Sequence, residues 1–181
     1  VTLFLVRHGL SLADPARPAS EWDLDPAGFD AVWALRESGR LPARAAWFCS
    51  PEPKAQQTAQ LLTDGDVGIV EELREHERAA GWLDDFPERV RAAFADPSTP
   101  AAPGWEPLDA CRERLLPAVR RILDVHVDPP GTTGAATDVV LVGHGTAWTL
   151  LVAELTGRDP DLTRWASLGM PDLIEVPAVL R

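Results

Sequence analysis

The chain divides into short apolar runs that stop at glycine-bearing breaks and longer stretches with helical spacing. Val1 to Val6 is a β-rich apolar run halted by Arg7-His8-Gly9, which predicts a buried strand. A loop with Pro15 and Pro18 follows from Ser11 to Asp25. Asp25-Pro26 then predicts a helix start, with Phe29, Val32, Trp33 and Leu35 at helical spacing and Gly39 as the stop. Ala45 to Cys49 reads as a strand, Pro53 to Leu62 as a helix, and Gly68 to Val70 as a short strand. Between Leu73 and Pro107 the alternation stops, leaving one expected helix over Pro87 to Ala95 and the proline-rich loop from Pro97 to Gly104. The segment from about residue 77 to 107 is therefore expected to be a lid inserted into the fold. Beyond it come an amphipathic helix over Leu108 to Val127, a Pro-Gly-Thr connector over Asp128 to Thr137, and the strand Val139 to Val142. A helix over Trp148 to Thr156, stopped by Gly157, and a final strand over Leu173 to Val176 complete the pattern. Strands alternating with helices predict an α/β fold, a three-layer α/β/α arrangement around a central, mostly parallel sheet. With no repeat and no linker, residues 1–181 are expected to form a single domain.

Composition changes this picture in a few places. At 181 residues and 45% hydrophobic content, there is material for one substantial core and little for two. The net charge of −11 argues against nucleic acid or an anionic membrane as partner, because either needs a basic face. Any phosphate site must then be locally positive within an acidic body. Cys49 and Cys111 are too few for a disulfide scaffold and fit a reducing, cytoplasmic setting. Neither is followed six positions on by arginine, so a cysteine-phosphatase loop is absent. No apolar run approaches a membrane span and no secretory signal opens the chain. The sequence starts at Val1 with its single methionine at Met170, so an initiating segment is expected ahead of it. Lys54 is the one lysine among 17 basic residues.

The candidate chemistry sits at two strand ends. Val6-Arg7-His8-Gly9 and Val142-Gly143-His144-Gly145 each place an imidazole at the carboxyl edge of a strand, where open α/β sheets bind ligands. The glycine beside each histidine would let a backbone N–H approach an anion. Two such ends can hold one phosphate between two imidazoles. His76 and His126 have no ligand-spaced partners, and with no His-x-x-x-His or Cys-x-x-Cys pattern neither a metal site nor a cofactor is expected. The seven tryptophans suit core and lid, with Trp82 and Trp105 as candidates to exclude water from a covered site.

These motifs, with Ser50-Pro51-Glu52-Pro53-Lys54-Ala55-Gln56-Gln57-Thr58-Ala59 and Leu73-Arg74-Glu75 between them, resemble the histidine phosphatase superfamily, the phosphoglycerate mutase-like group. Weaker echoes lie in Leu24 to Gly28 and in Trp105 to Arg114, so the resemblance covers nearly the whole chain. It implies that His8 attacks phosphorus to form a phosphohistidine, while Arg7 and His144 hold the phosphoryl oxygens. Lys54 stands where the family usually has a second arginine, and Glu75 where it has the carboxyl group that protonates the leaving oxygen. Gly145 and Ser11 complete the implied phosphate-binding set. The residue types suit the chemistry, because a phosphoryl group in flight spreads negative charge that fixed cations and hydrogen-bond donors stabilise. Glu77 is the alternative acid.

Four positions depart from the family pattern. Lys54 lacks the two-pronged contact of arginine, Asp14 puts a carboxylate where asparagine is common, and Leu10 and Thr146 replace other usual residues. The reading is a metal-independent phosphomonoesterase acting on a small phosphorylated molecule through phosphohistidine. The alternatives are mutase-type phosphoryl transfer and a weakened phosphate-binding regulatory module. The leaving group and the oligomeric state are not legible.

Overall fold

The computed structural model describes residues 1–78, 83–126 and 136–177. Its apolar runs form strands β1 (Thr2–Arg7), β2 (Ala45–Cys49), β3 (Val67–Ile69), β4 (Asp138–Gly143) and β5 (Asp172–Pro177). The helices are α1 (Phe29–Glu37), α2 (Pro53–Leu62), α3 (Phe86–Ala95), α4 (Leu108–His126), α5 (Gly145–Thr156) and α6 (Leu162–Ser167). The strands form one sheet in the order β3-β2-β4-β1-β5, parallel except for β5, which runs antiparallel to β1. This is the mixed α/β architecture with a central, mostly parallel sheet that the alternation predicts.

Period-two alternation in β1 and β4 feeds both sheet faces. Leu3, Leu5, Val139 and Leu141 pack on Leu115, Val119, Ile122 and Leu123 of α4 and on Trp148 and Leu151 of α5. Phe4, Val6, Val140 and Val142 meet Val32 and Leu35 of α1 and Ala59 and Leu62 of α2 on the other side. The segment from Leu83 to Trp105 builds a separate cluster, where Val90, Ala102 and Trp105 are buried against Leu83, Phe86 and Phe94.

Most predicted boundaries shift by no more than a residue, but α1 begins at Phe29, after a 3-10 turn over Pro26–Gly28, α6 is an unpredicted element, and one further shift is as large. The expected helix over Trp148 to Thr156 begins at Gly145, three residues earlier, with His144 extended as its N-cap. Gly-Thr-Ala reads as loop, yet the first turn is stabilised from outside, since the Glu75 carboxylate accepts hydrogen bonds from Thr146 N and Ala147 N at 3.1 and 2.8 Å. Most of the Asp128 to Thr137 connector, residue Val127 and Trp82 lie outside the described residues.

Candidate active site

Sheet order places the functional groups side by side. Because β4 lies between β2 and β1, the residues that follow these strands, Ser50, His144 and His8, come together at one edge. The ladder continues past the strands, with His8 N donating to Gly143 O and Ser50 N to Val142 O, each at 2.9 Å. The His8 and His144 rings meet edge to face with centroids 5.3 Å apart. Arg7, His8, Ser11, Lys54, Glu75, His144 and Gly145 all line one cavity of about 1120 Å³.

Each flanking glycine has a packing reason. At Gly143 a Cβ would lie 2.5 Å from Trp148 Cζ2, and the Trp148 indole Nε1 donates to Val6 O at 2.9 Å, locking β1 to α5 beneath the histidines. A Cβ at Gly9 would strike Val32 Cγ2 at 2.7 Å. The Gly9 N–H, expected to be available to an anion, donates instead to Thr58 Oγ1 at 3.0 Å. At Gly145 the absent Cβ admits the Arg7 guanidinium, whose Nε would lie 3.3 Å from it.

The tautomer of His8 follows from its neighbours. Its Nδ1 lies 2.7 Å from Gly9 O, an acceptor only, so Nδ1 carries the hydrogen and Nε2 the lone pair. The Ser11 hydroxyl stands 3.4 Å from the same Nδ1. Burial, then the charges of His144, Lys54 and Arg7, hold the His8 pKa well below the ordinary imidazole value, against a smaller opposing effect of Gly9 O. A neutral imidazole with a free Nε2 is a nucleophile. His144 Nε2 lies 2.7 Å from Ser50 Oγ, and its buried Nδ1 has no hydrogen-bond partner among the described residues. Burial lowers its pKa to about 3, with Lys54, Arg78 and Arg7 adding to the effect and Glu75 opposing it. Arg7 Nη1 donates to Leu168 O at 2.6 Å, while its buried Nε has no partner among the described residues.

The two acidic candidates separate clearly. Glu75 is mostly shielded, its side chain 17% exposed, and accepts from His76 N at 2.9 Å as well as from the start of α5. Burial pushes its pKa up, but Arg78, His144 and the backbone donors of His76 and Thr146 pull harder and leave it at about 2. Glu77 is half exposed and ion-paired with Arg74. Arg114 fixes the turn that carries Glu75, donating to the carbonyls of Glu72, Arg74 and Glu75 at 2.7 to 2.9 Å.

Lys54 is 4% exposed, and its ammonium is already engaged, donating to Glu52 Oε2 and to Ala19 O, each at 2.5 Å. Asp14 turns its Oδ1 to Ala16 N at 2.9 Å and is not among the cavity-lining residues. Thr146 Oγ1 accepts from Arg78 Nη2 at 2.7 Å. Trp105 is buried and stacks edge-on against His76, with centroids 5.5 Å apart.

Three residues without a sequence-assigned role enter the site. Ser50 follows β2, so the strand-end logic that selected both histidines also reaches it. Glu52 accepts from Glu75 N at 2.8 Å and stands 3.4 Å from His144 Nε2. Arg78 Cζ lies 4.8 Å from the Phe86 ring centroid and 5.1 Å from that of Trp105. Its position in the aperiodic stretch after Leu73 gave no signal. The cavity lining sets five cations, Arg7, Arg17, Lys54, Arg74 and Arg78, against four carboxylates, Glu52, Glu71, Glu75 and Glu77, a locally positive balance inside an acidic chain.

The sequence profile of the histidine phosphatase superfamily (branch 1) matches residues 3–176, and the chain belongs to that superfamily. Comparison with curated protein sequences finds no match. Among solved structures, a mycobacterial glucosyl-3-phosphoglycerate phosphatase is similar at 22% identity and a TM-score of 0.73, over 96% of this chain and 88% of that one. A phosphoserine phosphatase mutant from Entamoeba histolytica, in complex with phosphoserine, is similar at 16% identity and a TM-score of 0.71, over 96% and 89%. A Thermus thermophilus protein is similar at 25% identity and a TM-score of 0.66, over 100% and 95%. These likenesses place the fold among phosphoglycerate mutase-like proteins. No described helix is long and apolar enough to cross a membrane.

Proposed function

We propose that this protein hydrolyses phosphate monoesters of small molecules through a phosphohistidine on His8. The observation that carries the reading is the Nδ1 contact of His8 with Gly9 O, which leaves a neutral Nε2 lone pair in a cavity shared with Arg7 and His144. In the first step Nε2 bonds to phosphorus as the bond to the leaving oxygen breaks, and Glu75 delivers a proton to that oxygen. In the second, water attacks phosphorus, its proton passes to Glu75, the P–N bond breaks, and inorganic phosphate departs. Arg7 Nε, without a partner among the described residues, and His144 Nδ1, in the tautomer whose Nε2 accepts the Ser50 hydroxyl hydrogen, are the donors this reading assigns to the phosphoryl oxygens. The reading invokes no metal, since these groups supply the required charge. Similarity to phosphatases of small phosphorylated metabolites supports the same assignment.

Glu75 is ionised in the free pocket, so the proton it delivers arrives with the substrate. A phosphate monoester monoanion, with its second pKa near about 6, brings that proton and raises the Glu75 pKa by its own charge. Hydrolysis of alkyl esters should therefore decline above about pH 6, and that of aryl esters, whose leaving group needs no proton, should decline less. A regulatory module is the second reading, favoured by Glu52 neutralising Lys54. Acid–base-controlled quenching during turnover, followed by mass spectrometry, separates the two. The expected result is an acid-labile phosphate on His8, release of inorganic phosphate, and loss of both in His8→Ala. Turnover without a phosphohistidine, or a His8→Ala variant keeping a tenth of wild-type rate, overturns the mechanism.

A further inference from the structure

The carboxylate of Glu52 is committed on both oxygens to the framework of the site, with the side chain 6% exposed. Oε1 accepts from Glu75 N at 2.8 Å and stands 3.4 Å from His144 Nε2, while Oε2 accepts from the Lys54 ammonium at 2.5 Å. The backbone of the same residue donates to Ser50 Oγ at 3.2 Å, and that hydroxyl lies 2.7 Å from the same imidazole nitrogen. His144 Nε2 therefore faces two oxygens set by residue 52, a hydroxyl that can donate or accept and a carboxylate that only accepts. Across the ring, the buried Nδ1 has no partner among the described residues.

In the free site the ring is neutral, and Nε2 accepts the Ser50 hydrogen. The titratable groups that face it are Arg7 and His8 at the end of β1, Glu52 and Lys54 at the start of α2, and Glu75 and Arg78 before α3. Burial and the three cations keep a second proton off the ring, against the pull of Glu75. A phosphoryl group bound at Nδ1–H brings negative charge and shifts that balance toward the protonated form. The added proton then needs an acceptor, and Ser50 Oγ and Glu52 Oε1 are already in place for it. Resting on the phosphatase reading above, we propose that Glu52 is a positioning residue that makes His144 an imidazolium once a phosphoryl group is bound, with Nδ1–H on a phosphoryl oxygen and Nε2–H directed at Ser50 Oγ and Glu52 Oε1. The proton enters from solvent as the ester binds and leaves with inorganic phosphate, so the net reaction is unchanged. A full positive charge then sits where the transferring group is most negative. Lys54 is the other half of the device. By holding Oε2 it limits the pull of Glu52, so the ring stays neutral until the phosphoryl group arrives.

The test follows the ring nitrogens by NMR in protein with isotope-labelled histidine, the His144 signals being assigned by their loss in His144→Gln. Saturating inorganic phosphate should convert wild-type His144 from neutral to cationic at about pH 6, below the ordinary imidazole midpoint. Glu52→Gln/Lys54→Met replaces the buried pair by uncharged side chains and keeps the fold even where Glu52→Gln alone does not. In the phosphate complex the His144 midpoint should be highest in Lys54→Met, intermediate in wild type and lowest in the double variant, with about one pH unit or more between the extremes. The falling limb of kcat/KM for an aryl phosphate should move with it. A merely structural role would lower activity without moving the midpoint. A His144 that stays neutral in the wild-type phosphate complex, or the same midpoint in wild type and the double variant, overturns the assignment of Glu52. Absence of hydrolysis on every ester overturns the phosphatase reading, and the midpoints in the phosphate complex then decide Glu52 on their own.

Discussion

Two cation–carboxylate pairs flank the imidazoles, and they are built in opposite ways. On one wall Lys54 and Glu52 are in direct contact at 2.5 Å, both nearly buried, with Glu52 also gripping Glu75 N and Lys54 also gripping Ala19 O. On the other wall Arg78 and Glu75 stay 3.9 Å apart, with the guanidinium held by aromatic faces and the carboxylate by backbone N–H groups. A closed pair inside a protein resists any exchange of partners, because separating it strands two desolvated charges. An open pair leaves each partner able to take a new one. The lysine that the family resemblance suggested as a phosphate ligand belongs to the closed wall, and the arginine on the open wall is the cation with capacity to spare.

The largest expected effect comes from unbalancing the closed wall. Glu52→Gln strands the Lys54 ammonium and should destabilise the protein by about 3–5 kcal/mol, whereas Arg78→Gln, which removes two cation–π contacts, should cost about 1–2 kcal/mol. Urea unfolding of the two variants measures the difference, and equal losses would erase the distinction between the walls. Acid titration comes next. His8 and His144 are neutral when folded but take up protons in the unfolded chain below about pH 6.5, so the unfolded state binds more protons and stability falls as pH drops. For two such groups the slope is on the order of 2–3 kcal/mol per pH unit. Glu75, with its folded pKa at about 2, adds to the loss once pH falls below the ordinary carboxyl range. Stability measured from pH 7 to 4 should show this decline, and saturating inorganic phosphate should reduce it. The smallest effect is the most diagnostic. Lys54→Arg places a larger fork in a closed pair and should lose about 1–2 kcal/mol of stability by overpacking, with no gain in kcat/KM. A rise in kcat/KM would return Lys54 to the phosphate site.

Strand and helix positions were legible because they depend on local periodicity, and both histidines because a strand end is itself a local signal. Arg7 and Glu75 required the order of motifs along the chain. The start of α5 was misplaced because its cap is Glu75, about 70 positions upstream, and no local pattern encodes a cap that distant. Glu52 lay within a quoted motif but reads as one acid among many until the fold closes it on Lys54. Arg78 lies where the alternation stops, and the aromatic rings of Phe86 and Trp105 and the hydroxyl of Thr146, all brought in from later in the chain, give it a position.

The order of the sheet also has a temporal consequence. β1, with its apolar Leu3 to Val6, lies between β4 and β5, the last two strands of the chain, and Arg7 finds its carbonyl partner only at Leu168. During synthesis at about 5–20 residues per second, the first strand to leave the ribosome waits roughly 10–30 s for both of its neighbours. Until then it is a sticky, unpaired edge with high β-propensity, and all of its pairings are long-range. Late completion of the sheet follows from that placement, and the cavity at its carboxyl edge is among the last parts of the molecule to be assembled.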